Sequence, residues 1–469
     1  MLKTASPLGF TWLFIILGLG IFTRAYFLSQ PIRGDEAYTF LTYIQGGFSA
    51  LFEYSAPNNH ILNTLLIKFV TTFFPASPAS IRFPAFLAGL AGIILMFFLC
   101  RSLHKSPYAG IFAAVLTAVF PYLILYSTNA RGYTLIVALT IVVVWIGHRF
   151  VDVPSKPGVF WLALFSALGL LAMPTMVLPL AGIFFWLLAL LLLKRTPLNI
   201  VLRQFVLPFS LLSSLFTAVF YAPVVYASGG VAPIVANKFV DPQNWNDFLR
   251  ELLPQLQNSF TEITRDIHPA VLGMLLLLVV LGFVGSFKQR NWATLLLLPA
   301  FFLGAAVILL IQHTNPYART WIYLIPFILL LADAGLVFLL EYLPKSFPKW
   351  LNTAILVVAF FFAVHLTSKN VILTYLDTNS FPEASIAVKY LKPILQPGDE
   401  LRISSHADWA VYFYFWYDGS SSMLYDPAPS TGRIFFIHKK SRGPLTEDAL
   451  KKFTLLFETG NMDIYEGRR

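Results

Sequence analysis

Residues 60–74 read HILNTLLIKFVTTFF, and the topology of the chain turns on whether this run crosses a membrane. A helix needs about 20 apolar residues to span a hydrocarbon core roughly 30 Å thick. The run has 15, carries Lys68 and stops at Pro75. It reads as an amphipathic helix lying in the interface, not as a span. Eleven longer apolar runs surround it, at 8–28, 82–100, 107–127, 133–150, 158–173, 175–193, 204–227, 269–287, 291–311, 319–340 and 350–367. Their loop charges test the choice. With the N-terminus inside, the inside segments carry Lys3; Arg101 and Lys105; Arg149 and Lys156; Lys194, Arg195 and Arg203; Lys288 and Arg290; and Lys345 and Lys349. Every one is basic, as cytosolic loops are. Counting 60–74 as a span would move all but the first of these outside.

The expected fold is therefore an all-α polytopic membrane protein with about eleven transmembrane helices. The first loop (29–81), the 228–268 loop and the tail then lie on the outer face of the plasma (inner) membrane. Composition agrees: the 469 residues are 57% hydrophobic and 12% charged, where a soluble chain carries about a quarter charged residues. The net charge of +10 comes from 33 Lys and Arg against 23 Asp and Glu. Loop charge explains it, and no nucleic-acid-binding motif accompanies it. Cys100 is the single cysteine, which excludes an internal disulfide and any cysteine-based metal site. The run at 8–28 is too long for a signal-peptide core and has no small-residue cleavage site after it, so it reads as a retained span.

The tail, 368–469, changes character. FPEASIAVKYLKPIL has helical spacing, DELRISS and RIFFIHKK read as strands, LTEDALKKF opens on a Thr-x-x-Asp capping pattern, and TLLFETGNMDIYEG reads as a hairpin. This predicts a small α/β domain outside the membrane, after a transmembrane module covering 1–367. There is no internal repeat and no low-complexity segment.

Polar groups gather on the outer side. Asp35 and Glu36 follow Pro31 and Gly34 just after the first span; Asn58, Asn59 and His60 precede the interfacial run; Arg82 opens the second span. NARGYT (129–134) ends the third span and QHTNPYART (312–320) the ninth. Singly, each has a plain structural reading: a snorkelling arginine, a capping histidine, a solvated carboxylate pair. Together, a carboxylate pair, three arginines and a histidine at one membrane surface point to a substrate path.

DEAYT directly after the first span, NNH leading an apolar helix, IRFPAFLAGLAG and YSTNARGYTL together resemble the C-type glycosyltransferases. Specifically, they resemble the bacterial branch related to protein O-mannosyltransferases and aminoarabinose transferases. It is strongest over residues 20–150 and weaker around NPYARTWIYLIPF. The resemblance implies inverting transfer of a sugar from a polyprenyl phosphate carrier to a lipid, glycan or protein acceptor on the outer face. Asp35 matches the family's catalytic aspartate and Glu36 its acidic neighbour. Where many relatives have an aspartate two residues after the second-loop arginine, this chain has Tyr133, which leaves open whether a divalent metal ion takes part.

The residue types suit that chemistry. Asp35 can take the proton of an attacking hydroxyl or amine. A phosphate leaving group needs charge stabilisation, which guanidinium groups supply; Arg131 is the first candidate, followed by Arg319, His60 and Arg82. Tyr38, Asn59 and Tyr133 are expected substrate contacts. The main rival is a transporter or flippase, for which mid-span charge such as Asp333 would count; a membrane-anchored binding protein using the tail is a third reading.

Overall fold

The computed structural model describes residues 7–104, 106–235, 242–341, 347–375, 381–404, 408–421, 432–443 and 452–468. Among them, nine helices are long and apolar enough to cross a membrane. In chain order the helices are α1 (Pro7–Leu28), α2 (Gly34–Thr39), α3 (Ile61–Phe73), α4 (Pro78–Leu103), α5 (Ile111–Val119), α6 (Pro121–Ser127), α7 (Tyr133–Asp152) and α8 (Lys156–Ala172). There follow α9 (Val177–Leu193), α10 (Leu207–Ala227), α11 (Trp245–Thr264), α12 (Pro269–Lys288) and α13 (Trp292–Gln312). A 3₁₀ helix, Ala318–Leu324, leads into α14 (Ile325–Leu340), and then α15 (Phe347–Ser368), α16 (Ala384–Leu391) and α17 (Asp408–Tyr417).

Polar contacts sort the loops into two ends. At one end, His148 reaches the Ser102 carbonyl, Asn291 donates to Leu103, Thr294 meets His104 and Lys194 pairs with Asp152. These are the basic loops. At the other end, His60 meets Gly132, Tyr221 donates to Leu170, the Tyr54 N–H donates to Ser228, and the Gln243 N–H donates to His313. Both ends of α3 belong here: His60 stands at its start, and it leads into α4, where Arg82 bonds Glu36. The 13-residue α3 does not cross.

Two expected spans are shorter than a full crossing helix. α8 has 17 residues. The run at 107–127 breaks at Pro121, which has no N–H to give the Thr117 carbonyl. Buried Arg24 of α1 donates instead to the Thr117 and Ala118 carbonyls at 3.0 and 2.8 Å. At the other end of α5, Asp333 of α14 accepts from the Gly110 and Ala113 N–H groups. A carboxylate at the N-terminus and a guanidinium at the C-terminus complement the dipole of this buried helix. Glycines allow the closest helix contacts: a Cβ on Gly282 or Gly335 would overlap the facing backbone of α14 or α12, and Gly182 faces Gly304 in the same way between α9 and α13.

The tail forms a four-stranded sheet in the order β1 (Glu400–Ile403), β2 (Arg433–Lys439), β4 (Met462–Arg468), β3 (Phe453–Glu458). β1 and β2 are parallel; β2–β4 and β3–β4 are antiparallel. The expected strands and hairpin are present. LTEDALKKF lies almost wholly outside the described residues. α17 has no counterpart among the expected elements. It lays Phe413 and Trp416 against Phe40, and Trp409 edge-on to Tyr38 at 4.8 Å. Ile32, Phe40 and Ile81 share one apolar cluster with Phe381, Phe413 and Ile464, so the tail packs directly on the Asp35–Glu36 helix.

Candidate active site

Successive residues on a helix point about 100° apart, so α2 sends its two carboxylates to different places. Arg33 precedes the first turn, and its backbone N–H donates to Glu36 Oε2 at 2.9 Å, fixing the helix start. The Glu36 side chain is fully buried, whereas that of Asp35 is 24% exposed.

Glu36 is saturated. Oε1 accepts from Arg82 Nε (2.8 Å) and the Ala130 N–H (2.7 Å); Oε2 accepts from Arg82 Nη2 (2.5 Å) and the Arg33 N–H. Four donors fill the four acceptor positions of a carboxylate. Burial pushes its carboxyl pKa up, but the adjacent Arg82, Arg33 and Ala130 N–H outweigh this and hold it below the usual value. Arg82 is saturated too: its other N–H groups go to the carbonyls of Leu28 (3.0 Å), Gln30 (2.5 Å) and Pro31 (2.9 Å). This ion pair ties the end of α1, the start of α4 and the 128–132 turn into one knot.

The same turn carries Arg131. Gln30 Nε2 donates to the Thr128 carbonyl at 2.8 Å, Glu36 holds Ala130, and the Gly132 N–H donates to His60 Nδ1 at 2.7 Å. Because Nδ1 accepts, the ring proton sits on Nε2, which faces Arg131 Nη2 at 3.5 Å. Burial, then the charges of Arg131 and Arg319, hold the His60 pKa well below its usual value; the imidazole is neutral. Arg131 donates through Nη1 to Asp35 Oδ2 and lies over the Tyr133 ring at 5.6 Å, while its buried Nε has no hydrogen-bond partner. One half-open carboxylate thus faces a buried guanidinium, with a second arginine close enough to influence both Arg131 and His60. The local charge favours an anion.

Arg319 opens the 3₁₀ helix and lies over Tyr317 at 4.7 Å. It lines a polar pocket of about 220 Å³ with Gln255, Asn258, Ser259 and Glu262 of α11. Ser259 also lines an apolar cavity of about 490 Å³ between α11, α12, α13 and α14, walled by Leu252, Leu256, Leu275, Ala305, Trp321 and Leu324. A large greasy cavity therefore adjoins a small polar one beside an arginine.

Residues 59–225 match the family model described as dolichyl-phosphate-mannose-protein mannosyltransferase. The structure superposes on ArnT from Cupriavidus metallidurans, solved in the apo state (TM-score 0.57) and bound to undecaprenyl phosphate (TM-score 0.58). Identity is 12% in both, over 97% of this chain and 98% of the other. The fold is that of the C-type glycosyltransferases. An archaeal oligosaccharyltransferase from Archaeoglobus fulgidus also aligns, at TM-score 0.49 and 12% identity over 98% of this chain and 74% of that one. No curated protein sequence matches.

Within this C-type fold, the residues singled out from sequence separate into two groups. Asp35, Arg131, His60 and Tyr133 come together, and Arg319 influences them from the 3₁₀ helix. Arg82, expected as a phosphate ligand, has all five N–H groups engaged and no exposure. Glu36, expected to be catalytic, has no lone pair left. Asn59 is buried, with its amide donating to the Leu51 and Glu53 carbonyls and its Oδ1 accepting from Thr64, so it shapes the loop and has no contact to offer a substrate. Tyr38 is half-buried between Tyr43 and Trp409. Among the described residues no group of three His, Cys, Asp or Glu is placed to hold a metal ion.

Three residues went unread. Arg24 donates through Nε to Ser127 Oγ at 3.0 Å; an arginine inside the first apolar run was the available signal. Gln30 and Arg33 are buried just ahead of Asp35 in the chain, Arg33 donating to Gln30 and to the Ile372 carbonyl. Nothing in their spacing marks them.

Proposed function

We propose that the protein transfers a sugar from a polyprenyl phosphate carrier to an acceptor hydroxyl or amine, with inversion, at the outer face of the plasma membrane. One observation carries this reading: the Asp35–Arg131 pair feels the charge of Arg319, and Arg319 lines the polar pocket that meets the apolar cavity at Ser259. A proton acceptor, an anion site and a groove for a hydrocarbon chain occur together. The mannosyltransferase model over 59–225 and the undecaprenyl phosphate bound to the ArnT of like fold support it.

In the proposed reaction the carrier's phosphate draws Arg131 away from Asp35, leaving a carboxylate oxygen to accept the acceptor's proton. The acceptor oxygen or nitrogen attacks the anomeric carbon as the bond to the phosphate oxygen breaks. The electron pair leaves with the phosphate, and Arg131 and Arg319 stabilise the growing charge. Neutral His60 contributes its Nε2–H. Tyr133 orients Arg131 from below. The outward placement of this end rests on the basic loops gathered at the other. A transporter reading loses its main support, since Asp333 serves as the N-terminal cap of α5.

The test is to incubate the purified protein with polyprenyl phosphates carrying different sugars, with candidate acceptors, and to assay released carrier. Release that depends on acceptor and on Asp35 is expected. Exchange of intact glycolipid across vesicles, with no release, would instead establish a transporter.

A further inference from the structure

α11 is amphipathic in an informative way. Leu252, Leu256, Phe260 and Ile263 border the apolar cavity, while Gln255, Asn258 and Glu262, spaced three and four apart and hence on one helix face, border the polar pocket. Ser259 stands at the seam and lines both. Its hydroxyl is buried without a hydrogen-bond partner, and so is the indole N–H of Trp321, which also lines the apolar cavity. Ser259 is 4% exposed and Trp321 7%. Buried donors left unpaired are costly, and two of them on the apolar cavity, one at its seam with the pocket that Arg319 lines, mark a place where an acceptor-rich group binds.

We propose that this pocket seats the sugar of the donor, with Ser259 and Trp321 donating to the oxygens of the sugar–phosphate link and Glu262 excluding acidic sugars. The inference rests on the polyprenyl phosphate reading and deepens it. The two amides can each donate and accept, as neighbouring hydroxyls require, and Tyr317 adds an aromatic wall. The lining carries one carboxylate, Glu262, and one guanidinium, Arg319; with Arg319 turned to the phosphate, Glu262 accepts from hydroxyl or ammonium groups and repels a uronate. At about 220 Å³ the pocket has room for one monosaccharide and not for a long oligosaccharide. The apolar cavity takes the first isoprene units, and Arg319 lines the sugar pocket with its charge reaching Arg131.

The experiment measures binding to the full-length protein in nanodiscs by competition. Ligands are bare undecaprenyl phosphate and the same lipid bearing a neutral hexose, a neutral pentose, an amino hexose or a uronic acid. The wild type should bind the best neutral or amino glycolipid at least about tenfold more tightly than the uronate. Glu262→Gln should bring that ratio to within about threefold. Asn258→Ala should lower the affinity of the preferred glycolipid relative to bare lipid by about tenfold. If the uronate binds as well as the others, or Glu262→Gln leaves the ratio unchanged while bare lipid still binds, the sugar seat is elsewhere and the polyprenyl reading stands. If bare undecaprenyl phosphate does not bind, the polyprenyl reading falls, and this inference with it.

Discussion

Glu36→Gln is the change that best separates a scaffold carboxylate from a catalytic one. The amide keeps the shape but turns one oxygen into a donor. Either way round, that NH₂ meets donors: Arg82 Nε with the Ala130 N–H, or Arg82 Nη2 with the Arg33 N–H. At the same time Arg82 is left buried, with a neutral partner. Breaking a buried ion pair from one side costs about 3–5 kcal/mol, or roughly two to three and a half powers of ten in the unfolding equilibrium. The turn that carries Arg131 hangs on Ala130, so transfer should also fall. Stability can be read from SDS titration of the purified protein by tryptophan fluorescence, and transfer from carrier release at a temperature where the variant is folded. A Glu36→Gln protein with a wild-type midpoint and a hundredfold loss of turnover would refute the scaffold reading and put Glu36 on the substrate.

Asp35→Asn should lower transfer by about two to four orders of magnitude while leaving the unfolding midpoint within about 1 kcal/mol, since Asp35 is half-open and singly paired; more than a tenth of normal turnover removes it from the mechanism. Arg131→Lys should weaken polyprenyl phosphate binding and turnover together, because a point charge cannot replace a planar fork; a lysine variant equal to wild type in both would make Arg131 a mere anchor. His60 has a folded pKa below that of the unfolded chain, so the unfolded state binds the extra proton, and the neutral ring's stabilisation, present above about pH 6.5, is lost as pH falls below that value. His104, pushed by burial to about 4, acts in the same direction, so the check is the difference: His60→Asn, whose carbonyl can still accept from Gly132, should flatten stability between pH 7 and 5 relative to wild type. For topology, cysteines at Gln45 and Asp418 in a Cys100→Ser background should react with an impermeant thiol reagent in intact cells, and one at Arg195 should not; labelling of Arg195 alone would invert the protein.

Much of the fold was legible because length and charge are cumulative signals. The 60–74 run is too short to cross, and one misplaced crossing would put five basic loops on the wrong side, so its interfacial reading was strongly constrained. α17 was not legible: DWAVYFYFWY has aromatics on every side and no period to read. The break at Pro121 was written in the sequence, but proline is also tolerated inside membrane helices, so it does not by itself mark a break. At the site, the residues were legible and their assignments were not. Asp35 and Glu36 are neighbours in sequence and so look like one functional pair. The 100° step of the helix makes them two separate things, one facing Arg131 and one locked to Arg82. Sequence supplies the charges, but only the fold shows which of them are already neutralised.

The same logic settles the charges inside the spans. An ionisable group at membrane depth is costly enough to suggest function by default, and Arg24 and Asp333 both qualify. Yet each completes hydrogen bonds that the chain itself left open. Asp333 takes N–H groups at the start of α5, and Arg24 takes the carbonyls released where Pro121 interrupts the helix. Without the break, α5 and α6 would run as one helix, and the Ser127–Gly132 turn would start from a different phase. Arg24 also bonds Ser127 Oγ directly. The buried guanidinium therefore sets where the turn begins, Gln30 and Glu36 set its course, and His60 holds its end at Gly132. Arg131 is placed by four separate buried ties while keeping its own Nε without a partner. On the proposed reading, a residue held that firmly, with a donor in reserve and its one carboxylate partner half-open, is there to meet an incoming anion and not to stabilise the resting fold.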